Sequence, residues 1–196
     1  MLARLLIDLI LSNMKKLFMI FVLASLTFYV YSQENILSVS GGYSFANIEN
    51  SDMKATGWRI NGEYAFNPAQ GPWSFGFAVG YIGLGATEEI LIGNVDYSIG
   101  TIPIYFAPKF LFGNDKIKGF IKGALGTQNS HFKSNTANFE FTSSDWGFYG
   151  GGSAGINISL SEMIFLNAEY ELAWLSNTYY KDGLINSAMV GIGIKF

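Results

Sequence analysis

The chain has 196 residues, of which 49% are hydrophobic and 16% aromatic, whereas only 14% are charged and the formal net charge is −3. Soluble domains carry about 25% charged residues, so this composition argues against an ordinary water-facing surface. Cysteine is absent, which excludes disulfides and thiolate metal sites, and no basic excess suggests a nucleic-acid partner.

Residues 1–32 predict an N-terminal signal peptide. Lys15-Lys16 precede residues 17–31, an apolar stretch that ends in small and polar residues before Gln33. A short positive region followed by such an apolar core is typical of secretory signals. Cleavage before Gln33 is preferred, Met14 is an alternative start, and an uncleaved membrane anchor is the alternative interpretation.

Beyond residue 32 the dominant pattern is period-two alternation, which predicts β-strands. In residues 55–66 bulky side chains alternate with small or charged ones, and residues 163–175 repeat the pattern. No apolar run there reaches the ~18 residues that a spanning helix needs. The pattern places eight strands at residues 35–46, 55–66, 73–84, 96–112, 117–128, 145–158, 163–175 and 184–196.

The fourth of these strands contains two prolines, Pro103 and Pro108. Proline cannot donate a hydrogen bond to a strand ladder, so its presence is unusual there. The surrounding β-branched and aromatic residues nevertheless favour a strand. We therefore expect a long strand with a β-bulge near the prolines.

The connections between the predicted strands alternate in length. Short turns fall at residues 67–72, 113–116 and 159–162, whereas longer and mostly polar loops fall at residues 47–54, 85–95, 129–144 and 176–183. Short turns at one end and long loops at the other are the arrangement of outer-membrane barrels, whose long loops face outward.

The width of the barrel predicts which face points outward. An eight-stranded barrel has an interior only just wide enough to be filled by side chains. The bulky face cannot share so narrow a bore, so it must face lipid; its members are Tyr43, Phe45, Trp58, Tyr64, Phe66, Trp73, Phe75, Phe77, Trp146 and Phe148. The opposite face is small or polar, with Ser38, Ser40, Gly57, Ser74, Gly76, Ala78, Gly151, Ser153, Gly155 and Gly191.

Residues 33–196 are therefore predicted to form an all-β domain, an eight-stranded antiparallel up-and-down transmembrane β-barrel in the bacterial outer membrane. Four tryptophans fall near predicted strand ends, as expected of an interfacial aromatic girdle, namely Trp58, Trp73, Trp146 and Trp174. Ordinary core tryptophans are the alternative.

The inward face also carries three cations and three anions, namely Arg59, Lys109, Lys122, Glu63, Glu169 and Glu171. An unpartnered buried charge costs about 3–5 kcal/mol, so these groups are expected to pair. The pattern predicts a salt-bridged network that closes the bore and fixes strand register. Acid–base catalysis by the carboxylates is the weaker alternative.

Several segments resemble the OmpA/OmpX-like superfamily of small outer-membrane barrels. The run Asp145–Gly155, followed by a short turn and Phe165–Tyr170, is similar to the penultimate hairpin of such proteins. Ile102-Pro103-Ile104 followed by Lys109 is similar to a strand of Bacteroidota porin-family barrels. The ending in Phe196 resembles the signal by which the barrel-assembly machinery recognises its clients, which implies that machinery as a partner during biogenesis.

The sequence predicts no enzyme, cofactor or metal site. Outer-membrane deacylases pair histidine and serine at a different spacing from that of His131 and Ser134, and His131 is predicted to lie in an external loop. Aromatic residues in the same loop suggest contact with a partner or packing over the barrel mouth, namely Phe132, Phe139 and Phe141.

Two functions are favoured by the sequence. The first is a structural or surface-interaction barrel whose loops contact an external protein, a surface or lipopolysaccharide. The second is a narrow pore for ions or small solutes, and a lipid-modifying enzyme is the weakest of the three. Outer-membrane lipid and lipopolysaccharide are expected around the barrel, and nucleic acid is not expected as a partner.

Overall fold

The computed structural model describes residues 34–48, 53–68, 71–90, 93–136, 139–176 and 179–196. The predicted signal peptide lies outside these residues. Within them, no helix has the length and hydropathy to cross a membrane.

Eight antiparallel strands form one closed barrel in which each strand pairs with its neighbours in sequence and the last pairs with the first. The predicted all-β up-and-down barrel is therefore confirmed. The strands are β1 (Glu34–Ile48), β2 (Lys54–Asn67), β3 (Trp73–Ile90), β4 (Gly93–Gly113), β5 (Ile117–Thr136), β6 (Phe139–Ser159), β7 (Ile164–Leu175) and β8 (Tyr180–Lys195).

The pairing staggers the strands by ten residues around the barrel. One row of paired residues consists of Leu37, Tyr64, Phe77, Phe106, Leu125, Gly150, Trp174 and Leu184. Its first member, Leu37, pairs directly with Ile194, which lies ten residues beyond Leu184 on β8. Closed barrels with such a stagger have strands tilted by about 35–45°, and eight strands leave an interior that side chains fill.

The short connections form compact turns at one end of the barrel. Between β4 and β5, Gly113 adopts a φ of 116°, a conformation that glycine tolerates without a Cβ clash. The side chain of Asn114 accepts hydrogen bonds from the backbone N–H groups of Lys116 and Ile117 at 3.0 and 2.9 Å. These are the turn residues and the turn chemistry that the sequence predicts.

The prolines of β4 do not produce the predicted bulge. Pairing with β3 is interrupted near Pro103 and pairing with β5 near Pro108, but the register resumes unchanged on both sides. Each proline therefore removes a ladder hydrogen bond without inserting a residue. Among the described residues, a register shift occurs instead between β1 and β8, at Ala46 and Ile48.

The strands β3 to β6 extend beyond their predicted outer ends. Residues 85–90 continue β3, residues 129–136 continue β5 and residues 139–144 begin β6, so most of two predicted loops is strand. His131 accordingly lies on β5, paired with Gly100 and Ser144. Most side chains of these extensions are polar and do not alternate regularly with apolar ones, which is why their sequence resembled a loop.

The rings and the charges lie on the predicted faces. All ten members of the bulky set point outward, and Trp146 is the most exposed of them, at 67%. All six predicted inward charges point into the bore. Trp73 begins β3 and Trp174 is the penultimate residue of β7, but Trp146 lies inside β6 because that strand begins earlier than predicted. An apolar exterior around a charged interior is stable in lipid rather than in water.

Candidate functional site

The centre of the bore contains an arginine enclosed by hydrogen-bonding groups. Arg59 on β2 is 1% exposed, and its Nη1 lies 2.8 Å from Oε1 of Glu171 on β7. Its Nη2 donates to the hydroxyls of Tyr149 at 3.0 Å and Tyr105 at 3.3 Å. The Tyr149 hydroxyl also donates to Glu171, and the two tyrosine rings stack with centroids 5.0 Å apart. Four strands are thereby joined across the bore.

The second group of charges lies nearer the short-turn end. Glu63 accepts from Lys109 at 2.8 Å and from Lys122 at 3.4 Å. The same Lys122 Nζ lies 2.5 Å from a carboxylate oxygen of Glu169. Lys109 also lies over the ring of Phe120, 4.9 Å from its centroid, in cation–π geometry. All six predicted inward charges are therefore paired, and the predicted salt-bridged network is confirmed.

Two phenylalanines fill the bore between this network and the short-turn end. Phe165 pairs with Gly193 on the neighbouring strand, and Phe120 pairs with Gly155. A Cβ on Gly193 would lie 2.1 Å from the tip of the Phe165 ring, so only glycine leaves room for it. The paired glycines allow large rings to lie flat against the inner wall.

The outer half of the bore contains large apolar side chains, although the sequence analysis described the inward face as small or polar. Apolar side chains exposed by no more than 2% occupy it, namely Ile82, Leu84, Ile99, Leu175 and Ile185. They surround a small hydrogen-bonded group formed by Thr101, Gln128, Ser130 and Tyr180. At this level both faces of the strands are apolar, so hydrophobic alternation carries no signal. The predicted inward set was correct for the inner half and incomplete for the outer half.

Aromatic side chains lie over the outer mouth. The ring of Phe132 stacks on that of Tyr179, with centroids 5.3 Å apart and planes inclined by 11°. The ring centroids of Phe132 and Tyr97 are 6.0 Å apart. The Tyr179 hydroxyl donates to Ser143 Oγ at 3.3 Å. Of the three aromatics predicted in this region, Phe132 packs over the mouth and Phe141 is 57% exposed. The side chain of Phe139 lies outside the described residues.

The sequence analysis missed the two tyrosines of the central network. Tyr105 was read as one of several apolar residues favouring a strand, and Tyr149 as part of a family-like run. Strand alternation could have placed both inward. Residues an even number of positions apart share a face, so Tyr105 shares its face with Lys109, and Tyr149 shares its face with Ser153.

No group of three or more histidine, aspartate or glutamate side chains able to hold a metal ion occurs within the described residues. The buried carboxylates instead face cations, an arrangement that stabilises structure.

Replacing Lys122 by methionine should destabilise the barrel. The substitution removes the cation that contacts Glu169 and one of the two that contact Glu63, and breaking a buried pair costs about 3–5 kcal/mol. The free energy of unfolding in urea, measured in lipid vesicles, tests this. Lys118→Met is the matched control, because Lys118 lies at the short-turn end of the barrel and its partner Asp115 is exposed to solvent. Equal stability of K122M and the unsubstituted protein would contradict a structural role for the network.

The chain matches the family of the outer membrane protein beta-barrel domain over residues 18–196. A comparison with curated proteins finds no match. Among solved structures, Neisserial surface protein A superposes with a TM-score of 0.61 at 11% identity, over 84% of this chain and 99% of that one.

Two further structures share the fold. Ail, the attachment invasion locus protein of Yersinia pestis, has a TM-score of 0.53 at 20% identity, over 83% of this chain and 99% of Ail. A major outer membrane protein from Thermus thermophilus has a TM-score of 0.57 at 7% identity, over 85% of this chain and all of that one. The resemblance to small outer-membrane barrels is confirmed. The chain belongs to the outer membrane protein beta-barrel domain family and is a protein of the bacterial outer membrane.

Proposed function

We propose that the protein is a closed, non-enzymatic barrel that presents a strand extension at the cell surface for contact with an external partner. The bore network stabilises the barrel, and the outer ends of β3 to β6 make the contact. Outer-membrane lipid and lipopolysaccharide surround the apolar belt, and the barrel-assembly machinery inserts the chain.

The length of the central strands supports this proposal most directly. A membrane-spanning strand needs about 9–11 residues. The strands β3 to β6 contain 18 to 21 residues, whereas β1, β2, β7 and β8 contain 12 to 16. We call the outer parts of β3 to β6 the projection, which comprises residues 86–90, 93–97, 131–136 and 139–144.

The projection is built as an ordered sheet. Its two hairpins pair in register as far as Ile90 with Gly93 and Thr136 with Phe139. An ordered sheet presents side chains at fixed positions, which reduces the entropy lost when a partner binds. A related use of the fold is suggested by Ail, which is named an attachment protein and has been crystallised with the heparin analogue sucrose octasulfate.

The pore is the less favoured function. A conducting bore needs a continuous aqueous path, whereas here the charged network is followed by a tightly filled, largely apolar section and an aromatic cover. Charges held in pairs offer little attraction to a passing ion. The side chains of the outer section are buried, which leaves little room for the water that would hydrate an ion.

The protein reconstituted in planar bilayers should therefore show no steady conductance. Successful insertion is checked in parallel by the change in gel mobility that folded barrels show on boiling. Stable open steps from inserted protein would contradict the closed bore and favour the pore.

Removal of the projection tests the surface function. In one variant, Asn-Gly turns replace residues 86–97 and 131–144, joining the paired residues Gly85 to Ser98 and Ser130 to Asp145. Cells that display the full chain should adhere to polystyrene, collagen or heparin surfaces above cells without it, and the truncated variant should abolish this gain while remaining folded.

A matched control shortens the opposite end, with Asn-Gly replacing residues 114–116. This variant should adhere like the full chain. Adhesion that survives truncation of the projection, or a full chain that adds no adhesion to any of the three surfaces, would contradict the proposed function.

A further inference from the structure

The short-turn end of the bore, which we call the inner mouth, contains a small cavity lined by cations. The short turns of outer-membrane barrels face the periplasm, so the inner mouth opens on that side. The cavity has a volume of about 20 Å³. Among the described residues that line it, Lys109, Lys118 and Lys195 are basic, and Glu34, which lies 3.1 Å from Lys195, is acidic. Three ammonium groups therefore face one carboxylate.

The ammonium groups at the inner mouth have donors to spare. Lys118 lies 3.8 Å from Asp115, beyond hydrogen-bond distance, and Asp115 is fully exposed, so water weakens their attraction. Lys109 donates one hydrogen bond, to Glu63 at 2.8 Å. Because an ammonium group has three N–H donors, both lysines can donate further hydrogen bonds to an anion in the cavity.

A buried hydroxyl in the same cavity also indicates a ligand. Ser74 on β3 lines the cavity and is 1% exposed, and its Oγ has no hydrogen-bond partner among the described residues. Buried polar groups in folded proteins are nearly always hydrogen-bonded, and leaving one unpaired is unfavourable. A hydroxyl beside ammonium groups can donate to the oxygen of an anion, which would satisfy it.

The cavity adjoins a wider vestibule that supplies a hydrogen-bond acceptor. The vestibule has a volume of about 840 Å³ and shares with the cavity the residues Glu34, Lys118, Ser159 and Lys195. Asn67 lines the vestibule and is 2% exposed. Its Nδ2 donates to the Gly71 carbonyl at 3.1 Å, which leaves Oδ1 without a partner among the described residues. The inner mouth thus combines donors for an anion with an acceptor for an N–H group.

The size of the cavity favours a carboxylate over a phosphate. A cavity needs about 10–15 Å³ to hold one water molecule. The 20 Å³ at the inner mouth therefore admits a planar group with two oxygens, whereas a tetrahedral group with four is too large. A carboxylate that lies close to an N–H group is the chemistry of a peptide C-terminus.

The segments of this chain that adjoin the inner mouth in sequence and lie outside the described residues do not match this chemistry. Residues 1–33 contain one acidic residue, Asp8, against three cations, and residues 69–70 are uncharged. The anion is therefore expected from another molecule.

We propose that the inner mouth binds the C-terminus of a peptide in the periplasm. The carboxylate of the peptide enters the cavity and accepts hydrogen bonds from Ser74 and from the lysine ammonium groups. The N–H of the last peptide residue donates to Asn67 Oδ1. The site lies at the opposite end of the barrel from the projection and does not depend on the proposed surface function.

The test is isothermal titration calorimetry with the protein purified from outer membranes in non-ionic detergent. The probe is the dipeptide acetyl-alanyl-alanine with a free carboxylate, and the comparison ligands are the same dipeptide with a C-terminal amide and inorganic phosphate. We expect the free acid to bind at least tenfold more tightly than the amide and more tightly than phosphate. Its affinity should fall as salt is added, because charges near solvent are screened.

Three variants locate the site, and each is checked for folding by its change in gel mobility on boiling. Lys118→Met should weaken binding of the free acid at least fivefold. Lys54→Met is the matched control, because it makes the same change at the exposed outer end of β2 and should leave the affinity unchanged. Ser74→Ala should weaken binding at least threefold without lowering the free energy of unfolding, since the hydroxyl has no partner within the described protein.

Equal binding of the free acid and the amide would overturn the inference, as would equal affinities of K118M and K54M. Tighter binding of phosphate than of the dipeptide would show a different anion site and would also contradict it. An S74A variant that binds like the unsubstituted protein would mean that water alone satisfies the hydroxyl, and the site described here would be wrong.

Discussion

The narrow bore is the constraint on which the rest of this structure depends. Eight strands staggered by ten residues enclose a space that a single layer of side chains fills. It holds a few aromatic rings, such as those of Tyr105, Tyr149 and Phe120. The larger number that it cannot hold covers the outside, and only hydrocarbon makes such an exterior stable. The location of the protein in the membrane thus follows from the diameter of the barrel and from the number of aromatic side chains in its sequence.

The same constraint explains how the bore is filled. Charges placed in so small a space cannot keep a shell of water, and each must therefore contact an opposite charge or a hydroxyl. Arg59 has Glu171 and two tyrosines, and Lys122 has two carboxylates. Toward the outside the bore contains mainly apolar side chains, which need no partner, and the polar Thr101 and Ser130 there bond to each other. The result is a filled barrel whose strand extensions lie at its outer end.

Sequence alone predicted the part of the fold that depends on alternation. All eight strands, the closed topology, the outward rings and the six inward charges follow from period two and from the width of the bore. The particular partners do not, because strand tilt decides which inward residues share a level. Glu63 contacts both Lys109 and Lys122, a pairing that only the register reveals.

The errors arose where the environment of the strands changes. Outside the membrane a strand needs no regular alternation of apolar and polar side chains, so residues 129–144 resembled a loop although most of them extend β5 and β6. In the outer bore both faces are apolar, so Ile82 and Ile99 gave no inward signal. Without those strand extensions the difference in length between β6 and β7 could not be predicted.

Depth-dependent quenching of the tryptophans by brominated lipid tests the central claim most directly. Single-tryptophan variants that retain Trp58, Trp73, Trp146 or Trp174 would be reconstituted in bilayers brominated near the headgroups or deep in the acyl chains. If the rings face lipid at the two interfaces, shallow bromines quench each of them more strongly than dissolved acrylamide does. Tryptophans quenched by acrylamide and untouched by brominated lipid would show that the aromatic face does not contact the membrane.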